Sequence, residues 1–341
     1  FEARLIEVNQ PSPNRINPVC KHFGICGGCK WQNLSYKMQL QFKQKEILHN
    51  LKNISGMVLP KIDKIKAAEQ TFFYRNKMEY AFSDQRWLSA EEIKVKTETL
   101  EKKGLGFHKA GMWDKVVDID KCHLQQEPAN AIRNCVKQFA LDNNLEFFNH
   151  KEQSGFLRTL MIRNSSQGEF MVLIQFYRED IANREAILKH LKDKFNLTSL
   201  LYCINSKAND TLYDQEIIVY SGSEFITEVM EKLKFKINAK SFFQTNSNQA
   251  YELYKITRKF AGLKGYELVY DLYTGTGTIA QFIADKCNKV VGIESVPEAI
   301  AVAKESAEIN GITNAFFEVG DIRKVFNPDF INRHGVADVV I

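Results

Sequence analysis

Residues 269–280 read VYDLYTGTGTIA. An apolar, strand-forming start runs into Gly275 and Gly277, and Thr278-Ile279-Ala280 then opens a helical pattern. Glycines at such a junction let the backbone turn sharply and approach a bound group, and the helix start behind them offers free N–H groups. Glu294 closes the following strand, where a carboxylate can accept hydrogen bonds from ribose hydroxyls.

Downstream, the pattern repeats. Strand-like runs over 267–273, 289–295, 315–321 and 337–341 alternate with helical runs over 278–287 and 297–312, and an amphipathic helix over 248–263 precedes them. Short connections between alternating strands and helices predict a parallel, doubly wound, Rossmann-like α/β sheet. Two cofactors use a glycine loop followed by an acid, NAD and S-adenosylmethionine. Asp271 at the strand end suits a cationic methionine moiety, and Asp321 after the third strand suits an adenine. A pyrophosphate gains nothing from added acids, so the residues favour S-adenosylmethionine.

Upstream, the texture is different. From about 70 to 230, alternating strands with helical runs near 127–143 and 180–194 predict an α+β domain with an antiparallel sheet. The runs 156–164 and 169–177, joined by SSQG, read as a hairpin. A helix is expected over 35–51, with Ser35 as N-cap and Leu40, Ile47, Leu48 and Leu51 on one apolar side. Residues 2–8 alternate like a short strand. The expected organisation is 1–10 as the remnant of another domain, 11–235 as a central domain, and 236–341 as a cofactor domain.

The chain has 341 residues, 44% of them hydrophobic and 26% charged, with net charge +5. These are values of an ordinary globular protein; they permit a nucleic-acid partner without demanding one. No run of about 18 apolar residues suggests a membrane span, and no signal peptide is recognised at the start. Seven cysteines, an odd number, fit reduced thiols and a cytoplasmic location better than a disulfide framework.

Three of those cysteines crowd into CKHFGICGGCKWQ, residues 20–32, with the spacing C-x5-C-x2-C for Cys20, Cys26 and Cys29. A zinc site needs four ligands, which His22 could complete locally. An iron–sulfur cluster needs four thiolates, and Cys122, in DIDKCHL, is a distant fourth. The spacing alone leaves both open. Cys135, Cys203 and Cys287 stand singly and read as small core residues.

Several of these segments, in order, resemble the RNA (uracil-5-)-methyltransferase family: CKHFGICGGCKWQNLSYKMQLQFKQKEI (20–47), FYRNKMEYAFS (73–83), GFHKAGMWDKVVDIDKCHL (106–124), SFFQTNSNQAYELY (241–254) and DLYTGTGTIA (271–280). The likeness is greatest to its iron–sulfur branch, which modifies a uridine of 23S ribosomal RNA; a tRNA-modifying relative and a catalytically silent RNA binder are the rivals. The resemblance implies a 4Fe-4S cluster on Cys20, Cys26, Cys29 and Cys122. It implies S-adenosylmethionine contacts from Gln244, Tyr273 and Glu294, with Asp321 near the adenine. It further implies that residues 1–10 are the remnant of an OB-type TRAM domain. The catalytic thiol and base would lie past residue 341, so that residues 1–341 alone would be inactive, with no catalytic residue among them. A monomer acting on RNA, away from membranes, is expected.

Candidate RNA contacts come from cations interleaved with aromatics: Arg75, Lys77, His108 and Lys109. A uridine methylated at C5 must leave its stack. Phe242 and Phe243, beside Gln244, are candidates to wall its pocket.

Overall fold

The computed structural model describes residues 6–54, 58–94 and 100–341. In chain order its main elements are α1 (Tyr36–Ile54), β1 (Lys77–Ser83), α2 (Ala90–Lys94), β2 (Gly104–Lys109), β3 (Met112–Asp118), α3 (Ala129–Asp142), β4 (Leu157–Asn164), β5 (Phe170–Phe176), α4 (Ile181–Lys194), β6 (Ser199–Ile204) and β7 (Ile218–Gly222). There follow β8 (Phe225–Met230), β9 (Leu233–Asn238), α5 (Ser247–Ala261), β10 (Leu268–Leu272), α6 (Thr278–Ile283), β11 (Lys289–Glu294), α7 (Pro297–Ile309), β12 (Ala315–Val319), α8 (Ile322–Val325), α9 (Pro328–His334) and β13 (Val339–Val340). Among the described residues no helix is long and apolar enough to cross a membrane.

Seven strands form the central sheet in the order β3-β2-β1-β4-β5-β6-β7. All neighbours are antiparallel except β5 and β6, which α4 connects in parallel. The β4–β5 hairpin pairs Asn164 with Phe170, and Gly168 makes the turn at φ 75°. Strand β5 is buried along its whole length because both sheet faces are covered. On one face, Ile132 and Val136 of α3 and Ile187, Leu188 and Leu191 of α4 pack on Tyr80, Leu160, Val172 and Ile174. On the other, Met161, Leu173 and Leu201 meet Ile226, Phe235 and Ile237 of the β8–β9 hairpin.

That second core does not stop at the hairpin. It continues through Ala280 and Phe282 of α6 to Val269 and Val290 of a second sheet. This sheet is parallel, in the order β12-β11-β10-β13, as its alternating strands and helices predict. Its opposite face buries Tyr270, Val291 and Ile293 against Phe330 of α9.

Three expectations need correction. The 235/236 boundary falls inside β9, and β8–β9 is a sheet of its own, wedged between the two larger ones. Helix α1 spans the expected residues but buries no side chain: Ile47 and Leu48 are exposed, so its apolar side covers no core. Residues 6–8 form no strand, and residues 2–5 of that expected strand lie outside the described residues.

Where the sheets meet sits a polar node. Glu228 is 1% exposed. Its Oε2 accepts from Ser247 Oγ (2.7 Å) and its Oε1 from the Ser166 backbone N–H (3.2 Å). Asn76, at the start of β1, donates through Nδ2 to Gln244 O (2.8 Å) and Ser247 Oγ (2.9 Å), and its backbone N–H donates to Thr245 O (2.9 Å). Glu228→Ala leaves buried donors without partners, so we expect a loss of about 2–3 kcal/mol. Urea unfolding checks this, and an unshifted midpoint would show the node to be idle.

Candidate functional site

The glycine loop leaves β10 with an unusual backbone. Tyr273, Gly275 and Gly277 all have positive φ, at 62°, 58° and 71°. At Gly277 an added Cβ would come within 2.7 Å of the Phe317 ring and 2.9 Å of the Ala303 Cβ, so the loop packs tightly on β12 and α7. At Gly275 an added Cβ would meet nothing within 4 Å; that side of the loop is open.

Two carboxylates hold the loop. Asp271 is 3% exposed, and its Oδ2 accepts from Thr274 Oγ1 (2.6 Å) and from the Ala280 backbone N–H of α6 (3.1 Å). Burial pushes it up to about 6, against the pull of those two bonds. Asp271 therefore braces the loop from beneath instead of lying open above it. Glu294 accepts through Oε2 from Gly275 N–H (3.2 Å) and through Oε1 from Ser295 N–H (2.7 Å) and Val296 N–H (3.1 Å).

Parallel pairing sets Leu272 beside Ile293 and Glu294 beside Val319. Tyr273, Gly275, Glu294 and Asp321 thus lie along the carboxyl edge of one sheet, beside the β10/β13 switch in strand order, where open α/β sheets bind ligands. Tyr273 is 75% exposed. Asp321 is exposed and caps α8 through Arg323 N–H (3.0 Å). Gln244 is exposed two residues before α5 begins at Asn246, its N-cap, and a bond between Tyr254 and Thr278 hydroxyls (3.0 Å) docks that helix on the first turn of α6.

The four candidate cluster cysteines border a common cavity. Cys20, Cys26, Cys29 and Cys122 all line one cavity of about 280 Å³, together with Arg75 and Phe107. His22 O accepts from the Ile25 and Cys26 N–H groups (3.2 and 2.9 Å), which curls the loop, and Cys26 bridges to Lys109 of β2. Gly28 N–H points at Cys26 Sγ (3.4 Å). Burial first, then the neighbouring thiols, push Cys26 up to about 11; burial likewise raises Cys122. Among the described residues, no group of three or more His, Cys, Asp or Glu side chains is drawn together closely enough to hold a metal. His22 Nε2 accepts the Asp120 N–H (3.2 Å), so this nitrogen fastens the 120 segment to the loop. His123 packs its ring against Phe72 and Phe73.

Sequence reasoning missed the support behind Cys122. Asn130 clamps it, accepting from its N–H (2.8 Å) and donating to its C=O (3.0 Å). Arg133, fully buried over the Tyr80 ring, donates to Asn130 Oδ1 (2.9 Å) and Asp120 O (2.6 Å). The available signal was their i, i+3 spacing on the apolar side of α3.

The candidate RNA residues scatter. Arg75 lines the cysteine cavity. Lys77 pairs with Glu79 (2.5 Å), Lys109 lies over Trp87, and His108 packs edge-on to His150. Phe242 is 68% exposed, whereas Phe243 is 6% exposed and belongs to the core beside Phe235, so only Phe242 offers a free ring. The remaining thiols lie elsewhere: Cys203 is buried in β6, Cys135 faces His190 (3.4 Å), and Cys287 precedes β11 at the edge of the sheet opposite the glycine loop.

A parallel sheet with a braced glycine loop and acids along its carboxyl edge fits the class of S-adenosylmethionine-dependent methyltransferases, and likeness to known proteins supports that class. Residues 264–341 match the family model described as a methyltransferase domain. The crystal structure of a Pyrococcus abyssi tRNA (uracil-54, C5)-methyltransferase in complex with S-adenosyl-L-homocysteine is similar at TM-score 0.71 and 28% identity. The match covers 94% of this chain and 68% of that one. Relatives named as uncharacterized RNA methyltransferases in Porphyromonas gingivalis and Bacteroides thetaiotaomicron are 48% and 47% identical. Each match covers 100% of this chain, and 75% and 76% of the relative respectively. The chain belongs to this RNA methyltransferase family.

The Asp271 brace has a pH signature. Its folded-state value, about 6, lies above its ordinary 3.8, so the folded protein holds this proton more tightly than the unfolded chain. The stability so gained is complete below about pH 4 and is lost as pH rises through about 6, by at most roughly 3 kcal/mol. Urea unfolding of wild type and Asp271→Asn from pH 4 to 7 checks this. The wild type should lose stability relative to the variant as pH rises, and parallel curves would refute the assignment.

Proposed function

We propose that the protein is a uridine C5-methyltransferase of 23S ribosomal RNA that carries a 4Fe-4S cluster on Cys20, Cys26, Cys29 and Cys122. S-adenosylmethionine supplies the methyl group, at the edge proposed to be formed by Gln244, Tyr273, Gly275, Gly277, Glu294 and Asp321, with Asp271 bracing the loop from beneath. Arg75, Lys77, His108, Lys109, Phe242 and Phe243 are the proposed RNA-side residues, of which Phe243 acts through the core. In the proposed chemistry a cysteine thiolate adds to uracil C6, C5 takes the methyl group, a base removes the C5 proton and the thiolate is expelled. In the family resembled, that thiol and base follow the strand equivalent to β13. None of Cys135, Cys203 and Cys287 stands at the cofactor edge to take the role.

The observation that supports the cluster is that four cysteines, one of them 93 residues past the nearest of the others, line a single cavity. Four thiolates are the donor set of such a cluster, and N–H groups directed at sulfur suit it. Its role here is structural. Among the described residues before Asn76, none is buried, so residues 6–75 have no core of their own. A cluster held between this segment and Cys122 ties it to the central sheet.

Protein purified without oxygen should therefore contain about four irons and four sulfides per chain. Removing them with a chelator should open residues 9–70 to limited proteolysis while the fragment from 76 onward stays resistant. About one zinc and no iron would replace the cluster with a structural zinc loop, and unchanged proteolysis would remove the tethering role.

A second reading, a tRNA uridine C5-methyltransferase, is favoured by the likeness to the Pyrococcus abyssi enzyme. Deleting the gene in its own cell and digesting both RNAs for mass spectrometry separates the two. Loss of 5-methyluridine from 23S RNA is expected. Loss from tRNA alone would move the substrate to tRNA, and no loss in either would sink the uridine reading.

A further inference from the structure

A second cavity, about 560 Å³, adjoins the cysteine cavity and shares Gly28, Cys29, Gln32, Arg75 and Leu124 with it. One wall is α1 with the end of the cysteine loop; another is the extended segment 65–75; the far end reaches Asn246 and Gln249 at the start of α5, beside Gln244. Its charge is one-sided. Lys30, Lys43, Lys66 and Arg75 line it, and no Asp or Glu does, in a chain that has 41 acidic residues. Lys66 is paired outward with Glu252 (2.9 Å). Four aromatic rings stand among these cations: Trp31, Tyr36, Phe72 and Tyr74. Lys43 lies 5.8 Å from the Trp31 ring, which is 36% exposed.

The segment 63–70 is fixed as a wall by polar bonds. Tyr36 Oη accepts from Ala68 N–H (2.8 Å), Gln44 Nε2 donates to Asp63 O (3.1 Å), and Gln249 Nε2 donates to Lys66 O (3.3 Å). The groove is thus bounded on both sides before any ligand arrives.

We propose that this groove binds a single-stranded stretch of the RNA substrate, flanking the nucleotide to be methylated and leading it toward the cofactor edge. The proposal rests on the chain's being an RNA methyltransferase. Phosphates fit the cations, and exposed bases fit the rings, because stacking accepts any base and needs no hydrogen-bond code. A folded acidic protein partner would also suit the charge but would not use half-buried rings recessed between a helix and a strap.

The test measures binding of a fluorescein-labelled oligouridine by anisotropy, without oxygen, over a salt series. For Lys30→Gln/Lys43→Gln we expect about tenfold weaker binding and a salt slope shallower by about 1.4, the value for two lost phosphate contacts on a single strand. Trp31→Ala should weaken binding by about tenfold, and Trp31→Phe should restore most of it. Two exposed lysines of α4, outside the groove lining, in Lys192→Gln/Lys194→Gln, serve as the charge control. S-adenosylhomocysteine binding and melting temperature should stay unchanged in all four. If wild type binds RNA and the groove variants bind equally well, or the control loses as much, the groove is not the path although the RNA reading stands. If wild type binds no RNA, both fall.

Discussion

A carboxylate buried between two sheets sets where everything else can stand. Glu228 belongs to the β8–β9 hairpin, yet it receives its hydrogen bonds from the β4–β5 turn and from the first residue of α5. A buried charge is tolerated only where its oxygens are satisfied, so these elements cannot drift apart without cost. Asn76 extends the constraint to β1 and grips the backbone of Gln244 and Thr245. The residue before it, Arg75, lines the cysteine cavity and the neighbouring groove. Two consecutive chain positions, Arg75 and Asn76, therefore link the thiol cavity and its neighbouring groove to the joint between sheets. The apolar core around this node, from Met161 to Val290, supplies the bulk stabilisation; the node supplies the register.

The glycine loop follows a similar logic on a smaller scale. Three left-handed residues within five positions are costly for any chain, and least so at glycine. Asp271 and Glu294 offset that cost by accepting from Thr274, Ala280 and Gly275, groups that the turn would otherwise leave without partners. Asp271 does this from beneath the loop, and Glu294 from the end of the neighbouring strand. One pair of carboxylates thus shapes the backbone of the loop.

Much of this was legible in the amino-acid order because local rules govern it. The alternation of strand and helix after residue 267 predicts β10 to β13 within one or two residues. The SSQG turn predicts the β4–β5 hairpin, and the helical patterns predict α3 and α4. Illegible features depend on what lies opposite. The periodicity of α1 marks an apolar side but says nothing of a covering partner, and its Ile47 and Leu48 stay exposed. The β8–β9 hairpin packs on both larger sheets, so its residues carry no sign of which domain they join. Asp271 reads as an open ligand because its partners, Thr274 and Ala280, are visible only once the turn is built. Asn130 and Arg133 look like surface polar residues until Cys122 is set beside them.

The segment before Asn76 brings these threads together. It has a helix, an extended strap and a cysteine loop, but no buried side chain among its described residues. Polar bonds such as Tyr36 to Ala68 are worth about 1 kcal/mol each and cannot alone offset the ordering of some seventy residues, at about 1–2 kcal/mol apiece. Among the described residues, the Lys21 and His22 contacts to Asp120 and the Lys66–Glu252 ion pair fasten it in part, and its three clustered thiols line one cavity with Cys122. Asn130 and Arg133 make Cys122 a rigid anchor in advance, with both backbone groups of the cysteine already satisfied. Fastening the loop at that point also completes the wall that carries Lys30, Trp31 and Lys43. The proposed cluster would thereby also fix the end of the cysteine loop, from Cys29 to Gln32, that lines the groove.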